Sequence, residues 1–156
     1  MKPLVGLTID VTADVNGQGN IEYTIDRCPA GTPAADCVHT ATNVQNYGYL
    51  PPSMNASEYA IDLVYAVGHV HTGAISLELV DGVTGQQLCN AKLRYGTSEQ
   101  PGDEAGYLVG IEPCVWSPPL RFKVGHPLRT VARYNNSEPH TGVMSLWLTS
   151  GNLVHL

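Results

Sequence analysis

Residues 58–72 read EYAIDLVYAVGHVHT and form the longest strand candidate of the chain. A helix is conceivable for the first half, but the β-branched and aromatic residues, with Gly68 inside, favour a strand with a bend. Because side chains alternate along a strand, His69 and His71 share one face and lie roughly 7 Å apart along the backbone. This stretch therefore predicts a long β-strand with paired imidazoles near its end.

Shorter strand candidates surround it and predict an all-β chain. A turn is expected at 16–20, hairpins at 74–95 and 120–134, and an extended but irregular segment at 38–49. About eight or nine strands separated by regular turns are typical of an antiparallel β-sandwich or jelly roll. No repeat or linker divides residues 1–156, so we expect one domain. The remaining strands are predicted at 4–11, 21–25, 107–111, 115–116 and 143–149.

The composition excludes several classes of partner. Charged residues make up 14% of the chain, and its 8 basic residues are scattered within a formal charge of −6. No basic cluster offers a footprint for nucleic acid, and no apolar run approaches the ~20 residues that span a membrane. We therefore expect a small-molecule ligand, with the oligomeric state left open.

Four cysteines in a Gly- and Pro-rich β chain predict two disulfides. Three pairings are possible, of which we favour Cys28–Cys37, closing a short loop, and Cys89–Cys114, bridging strands. A zinc site made of four thiolates is the rival interpretation, but the chain has no Cys-x-x-Cys pair.

A secretory origin agrees with the cysteines. Asn55 and Asn135 begin Asn-x-Ser tripeptides that accept N-linked glycans. The first seven residues lack a complete signal-peptide pattern, so we expect the sequence to begin after such a leader.

Near the other end of the chain, residues 138–144 read EPHTGVM and add a thioether to the imidazoles. Two imidazoles and a thioether form a soft donor set that selects copper, whereas zinc prefers a third histidine or a carboxylate. We predict a copper site made of His69, His71 and Met144. His140 is a candidate third nitrogen ligand, and otherwise a residue beside the metal or a catalytic proton donor.

Other side chains are weaker candidates. Tyr65 shares the face of the histidine pair by alternation and is a candidate catalytic residue, although a core tyrosine is the simpler interpretation. Asp62 needs a partner if it is buried, and alternation places it opposite the histidines unless a bulge near Gly68 intervenes. Asp103 and Glu104 could bind calcium from a loop. Arg133 is expected to be solvated.

Several motifs resemble the plant stress up-regulated nodulin family, chiefly between about Glu58 and Thr149. They are GHVHTG at 68–73, YLVGI at 107–111, RYNN at 133–136 and HTGVM at 140–144. More distantly, the pattern resembles the second domain of the copper type II, ascorbate-dependent monooxygenases. That resemblance implies a jelly roll in which His69, His71 and Met144 bind the copper at which oxygen is activated.

The chain departs from those monooxygenases in two respects. It has no room for their second domain with a three-histidine copper, and His39, His126 and His155 are too dispersed to replace it. Val67-Gly68 also stands where the peptide-processing enzyme has an arginine for the substrate carboxylate.

Three functional hypotheses follow. The first is a mononuclear copper protein that acts as a redox enzyme on a small plant metabolite. The second is a cyclase, lyase or isomerase that uses the pocket histidines as acid and base. The third is a non-catalytic stress module that binds a metal or ligand.

Overall fold

The computed structural model describes residues 4–12 and 21–156, which fold into twelve strands and two single-turn 3₁₀ helices. The all-β prediction is confirmed, and short strands such as 140–143 raise the count above nine. The turn expected at 16–20 lies outside the described residues. In chain order the strands are β1 (Leu4–Asp10), β2 (Tyr23–Ile25), β3 (Val38–Tyr47), β4 (Tyr59–Val70), β5 (Ala74–Asp81), β6 (Gln87–Asn90), β7 (Lys92–Tyr95), β8 (Leu108–Glu112), β9 (Cys114–Lys123), β10 (His126–Asn135), β11 (His140–Val143) and β12 (Ser145–His155).

Two four-stranded antiparallel sheets share one hydrophobic core. The first has the strand order β1-β12-β4-β9 and the second β3-β10-β5-β6, while β11-β2 and β7-β8 are small ladders. Trp147 of the first sheet and Leu77 and Leu128 of the second are fully buried between them. Burying a leucine side chain contributes about 1.5–3 kcal/mol relative to exposing it, so this shared layer holds the sheets together.

The predicted hairpin at 120–134 is wrong. β9 pairs with β4 in the first sheet, whereas β10 pairs with β3 and β5 in the second. The short turn at Gly125 therefore crosses from one sheet to the other. The segment expected to be irregular is the regular strand β3, which pairs with β10 along its whole length.

β4 changes the face that it presents to the core halfway along its length. Val64 has no partner on β12, because Leu63 pairs with Gly151 and Tyr65 pairs with Ser150. An extra residue of this kind is a β-bulge, and it reverses the alternation of side chains beyond it. Before the bulge the odd positions 61 and 63 are buried in the core, and after it the even positions 66 and 70 are buried.

The bulge lies earlier than the sequence suggested and puts Asp62 on the same outer face as the histidines. Asp62 is buried and, as expected, has a partner, because Nε and Nη2 of Arg121 donate to its two carboxylate oxygens at 2.6 and 2.8 Å. Arg133 is also paired rather than solvated, since its guanidinium contacts the carboxylate of Glu78. The Asp62–Arg121 pair joins neighbouring strands of the first sheet, and the Glu78–Arg133 pair joins neighbouring strands of the second.

Both favoured disulfides are present. Cys28–Cys37 ties the loop after β2 to the start of β3, and Cys89–Cys114 links β6 of the second sheet to β9 of the first. Because all four thiols are oxidised, the zinc alternative is excluded. No helix among residues 4–12 and 21–156 is long and apolar enough to cross a membrane.

Candidate metal centre

His69, near the end of β4, and His71, just beyond it, face each other on the outer side of the first sheet. The neighbouring residue Gly68 faces the core and packs so closely that a Cβ there would approach Cδ2 of Leu77 to 2.6 Å. Val70 is buried in the core, so His69 and His71 point away from it. Their ring centroids lie 5.4 Å apart with the planes nearly perpendicular. The structure therefore brings together the pair that the sequence predicted.

His69 has the environment of a neutral imidazole with an unused nitrogen. Its Nε2 atom is buried and finds no hydrogen-bond partner among the described residues. Burial, and then the nearby His71 ring, lower the pKa of His69 below its usual value. A neutral imidazole keeps the lone pair that a metal ion needs.

Met144 lies beside His71 at the end of the ladder between β4 and β12. The last ladder pair is Val70 with Ser145, so one further step places Met144 opposite His71. The hydroxyl of Tyr134 also contacts the backbone of both residues, accepting from the N–H of His71 and donating to the carbonyl of Met144. One side-chain oxygen therefore bridges the backbones of His71 and Met144.

His140 occupies a different position, one wall of a cleft that also includes His71. Its Nε2 lies 2.7 Å from the carbonyl oxygen of Asn135, and its ring packs on Gly73. A carbonyl can only accept, so Nε2 carries the proton and Nδ1 of the neutral ring is an acceptor. Gly73 has a φ of +101°, and a Cβ there would overlap the His140 ring.

The main space of the cleft has a size suited to a small ligand and an uncharged lining, whereas Glu138 lines the space beside it. The volume of the main space is about 530 Å³, and a smaller space of about 370 Å³ adjoins it across His140. Hydroxyl and imidazole groups are the polar features of the main space among the described residues. The larger space is lined by Val70, His71, Thr72, Leu108, Pro139, His140, Thr141 and Val143.

Several predicted candidates do not join these residues. Tyr65 shares the outer face but lies four residues from His69, roughly 13 Å along the strand, and it does not line the cleft. Asp103 is held by Arg94, and Glu104 accepts from the N–H of Gly102. Within the described residues no three His, Cys, Asp or Glu side chains form a metal-binding group. His140 is thus not brought into a cluster with the histidine pair. A site made of His69, His71 and Met144 has two side chains of these four types, so this criterion does not bear on it.

Sequence reasoning missed three supporting residues around the site. Tyr134 and Ser145 are fully buried hydroxyls on β10 and β12. The Tyr95 hydroxyl accepts from the N–H of Gly73 and donates to the carbonyl of Ala74, fixing the turn between β4 and β5. Tyr134 falls within RYNN, one of the motifs that carried the family resemblance, but a single sequence gives no signal for its contacts.

The fold and the site together define a disulfide-bonded antiparallel β-sandwich that presents paired imidazoles beside a small cleft. Residues 7–150 match the family described as stress up-regulated Nod 19, and the chain belongs to that family. The predicted resemblance to the stress up-regulated nodulin family is confirmed, and the match extends into the first fifty residues, where the motifs had been weaker. A search of curated proteins found no match.

Proposed function

We propose that this protein binds one copper ion through His69, His71 and Met144 and acts as an oxidoreductase on a small molecule held in the adjoining cleft. The observation that carries the proposal is the convergence of two facing imidazoles with the backbone that bears a thioether. The distant resemblance to copper monooxygenases supports it.

The donor set fits copper better than other common metals. Imidazole and thioether donors suit copper, while magnesium, calcium and manganese require several oxygen donors. The buried, unpaired Nε2 of His69 is a polar atom that lacks a partner, and a metal ion would supply one. A bound copper would contribute one-electron and oxygen chemistry.

The chain's own residues would hold the substrate. The cleft shares His71 with the metal site, so a ligand there would lie beside the metal. Its uncharged lining favours a small neutral molecule with hydroxyl or carbonyl groups over an anion. His140, with its ring fixed by Asn135 and Gly73, would accept a hydrogen bond from the ligand through Nδ1.

Copper loading tests the proposal directly. We expect one copper ion per chain by metal analysis and a stoichiometric Cu(II) signal by electron paramagnetic resonance. His69→Ala and His71→Ala should each reduce affinity at least about a hundredfold, or 2.7 kcal/mol, because each removes a ligand. His155→Ala is the matched control, since this exposed histidine lies at the far end of the same sheet. Wild-type protein without bound copper, or an unchanged signal in His69→Ala, would overturn the proposal.

Replacing the thioether separates the two copper oxidation states. Met144→Leu keeps nearly the same volume but removes the sulfur. We expect Cu(I) affinity to fall by about tenfold, or 1.4 kcal/mol, and Cu(II) affinity to change less, because soft sulfur prefers Cu(I). Equal changes in both affinities would show that Met144 is a packing residue.

The orientation of His140 favours a second candidate, a metal-independent acid–base enzyme. The test begins with a panel of neutral phenols and polyols, whose binding is detected by saturation-transfer nuclear magnetic resonance in the presence of a chelator. Turnover of a bound compound should persist with chelator and disappear in His140→Gln, but not in His155→Gln. Turnover that requires copper would reject this candidate, and copper binding without any turnover would favour a metal-sequestering role.

We also propose that the protein is secreted or resides in the secretory pathway. Two disulfides persist where conditions are oxidising, and both potential glycan acceptors, Asn55 and Asn135, are exposed. Protein expressed in secreting eukaryotic cells should appear in the medium and lose mass on treatment with an N-glycosidase. Retention in the cytosol with reduced thiols would contradict this.

A further inference from the structure

Tyr134 contacts the segments that carry His71, Met144 and His140. It lies on β10 of the second sheet and is fully buried, yet its side chain crosses the core to the first sheet. Its hydroxyl accepts from the backbone N–H of His71 at 3.0 Å and donates to the carbonyl of Met144 at 2.9 Å. The ring centroid lies 5.8 Å from that of His140.

The hydroxyl takes the place of the next rung in the ladder between β4 and β12. The ladder ends at Val70 and Ser145, and neither His71 nor Met144 belongs to a strand that pairs across this gap. An N–H and a carbonyl that would otherwise bond directly are instead bridged by one inserted oxygen atom. The two backbones are therefore held apart at a defined spacing, wider than a direct rung allows.

A chain of buried hydroxyls fixes the direction of these bonds. The Met144 carbonyl can only accept, so Tyr134 donates its single proton there. The hydroxyl of Ser145, at 3.4 Å, donates to Tyr134, and that of Tyr23, at 2.7 Å, then donates to Ser145.

We propose that Tyr134 is a positioning residue of the copper site, whose hydroxyl sets the separation between the His71 and Met144 ligands. The inference rests on the proposed function, because it concerns the ligands named there. A metal ion accepts only a narrow range of ligand distances, and groups that orient ligands without touching the metal strongly affect its binding.

Tyr47 provides a control with the same chemistry at the other end of the sandwich. It also crosses from the second sheet to β12 and is buried, and its hydroxyl lies 3.1 Å from that of Thr149. Thr149 sits within the continuous ladder, paired with Ala66, so this bond spaces no open pair of backbones. Removing the Tyr47 hydroxyl costs its bond to Thr149, whereas removing the Tyr134 hydroxyl costs contacts to His71, Met144 and Ser145, and only the latter contacts lie at the site.

The experiment compares Tyr134→Phe and Tyr47→Phe. Cu(I) affinity is measured by competition with a chromophoric chelator, the copper–sulfur distance by X-ray absorption, and stability by urea unfolding. We expect both variants to lose stability, and Tyr134→Phe to lose more, because its hydroxyl has three partners and that of Tyr47 has Thr149. Copper affinity should fall by about 10–100-fold in Tyr134→Phe, with loss of the sulfur contribution, and should stay within about twofold of wild type in Tyr47→Phe.

The outcomes separate this inference from the proposed function. Wild-type affinity and an intact sulfur contribution in Tyr134→Phe would overturn the positioning role and leave the copper site standing. A wild-type protein that binds no copper would remove both. If Tyr134→Phe does not fold, Ser145→Ala takes its place, since it keeps the Tyr134 hydroxyl with its two backbone partners and removes the hydroxyl that bonds Tyr134 and Tyr23. We expect Ser145→Ala to lower Cu(I) affinity by more than Tyr47→Phe does but by less than the loss expected for Tyr134→Phe. An unchanged affinity would overturn the role.

Discussion

The two ends of the sandwich each contain buried polar groups, but they use histidine differently. At one end, His126 stacks on Phe122, and its Nε2 lies 3.1 Å from Oδ2 of Asp81, at an angle too poor for a straight hydrogen bond. At the other end, His69 and His71 face each other, and Nε2 of His69 contacts no protein acceptor among the described residues. A carboxylate neighbour marks the first histidine as structural, whereas an imidazole neighbour leaves the second pair free to bind something else.

The turns at the two ends differ in the same way. At the His126 end, Asp81 accepts from the backbone N–H groups of Val83 and Thr84, so the turn satisfies its own carboxylate. At the other end, the turn through Gly73 is held by the Tyr95 hydroxyl and leaves Nδ1 of His140 available. One end thus places its histidine beside a carboxylate, whereas at the other end the described residues give the imidazoles no such ion pair and leave them free for a ligand.

The largest effect on this comparison is expected when the glycine that packs against the His140 ring is replaced. Gly73→Ala imposes a left-handed backbone on alanine, costing about 1–2 kcal/mol, and pushes a methyl group into the imidazole ring, adding about 1–3 kcal/mol. We expect a total loss of about 2–5 kcal/mol in urea unfolding and a changed His140 resonance. Gly85→Ala is the control, because its φ is +75° but nothing lies within 4 Å of the added carbon. Equal losses in both variants would show that His140 is not packed against this turn.

A smaller effect is expected at the structural end. His126→Ala leaves Asp81 buried without its ring neighbour and should cost about 1–2 kcal/mol, while copper affinity stays at the wild-type value. The expected result is therefore the reverse of that for His71→Ala, which should affect copper more than stability. Loss of copper binding in His126→Ala would show that the two ends are coupled.

The smallest effect is a dependence of stability on pH. Burial alone would raise the pKa of Asp81, but the Thr84 and Val83 N–H groups and the His126 ring together hold it below its usual value. A carboxyl whose folded pKa is lowered stabilises the fold above its unfolded pKa of about 3.9 and loses that contribution as the pH falls further. When melting temperature is plotted against pH between 2 and 6, it should therefore fall less steeply below about pH 4 for Asp81→Asn than for the wild type. Parallel curves would contradict the assignment.

The sequence was sufficient to predict the features that depend on alternation and local chemistry. The strand character of residues 58–72, the shared face of His69 and His71 and both disulfide pairs are confirmed. Each depends on short-range spacing or on residue type. The need of Asp62 for a partner also followed from the cost of burying a charge.

Features that depend on which strands become neighbours were not accessible in this way. The turn at Gly125 looks like a hairpin because strands flank it closely, yet its strands join different sheets. Tyr134 looks like any core tyrosine, since its hydroxyl partners lie 63 and 10 residues away. Only the folded arrangement identifies these contacts.

The bulge at Val64 has a consequence for how the chain tolerates change. The side chains of β4 alternate in one register from Tyr59 to the bulge and in the opposite register from the bulge to Val70. Deleting Val64 would bring the two halves into a single register and turn the imidazoles toward the hydrophobic interior, where Gly68 now packs. One residue of surplus length in the backbone thus decides whether this strand carries a site on its surface or only fills a core.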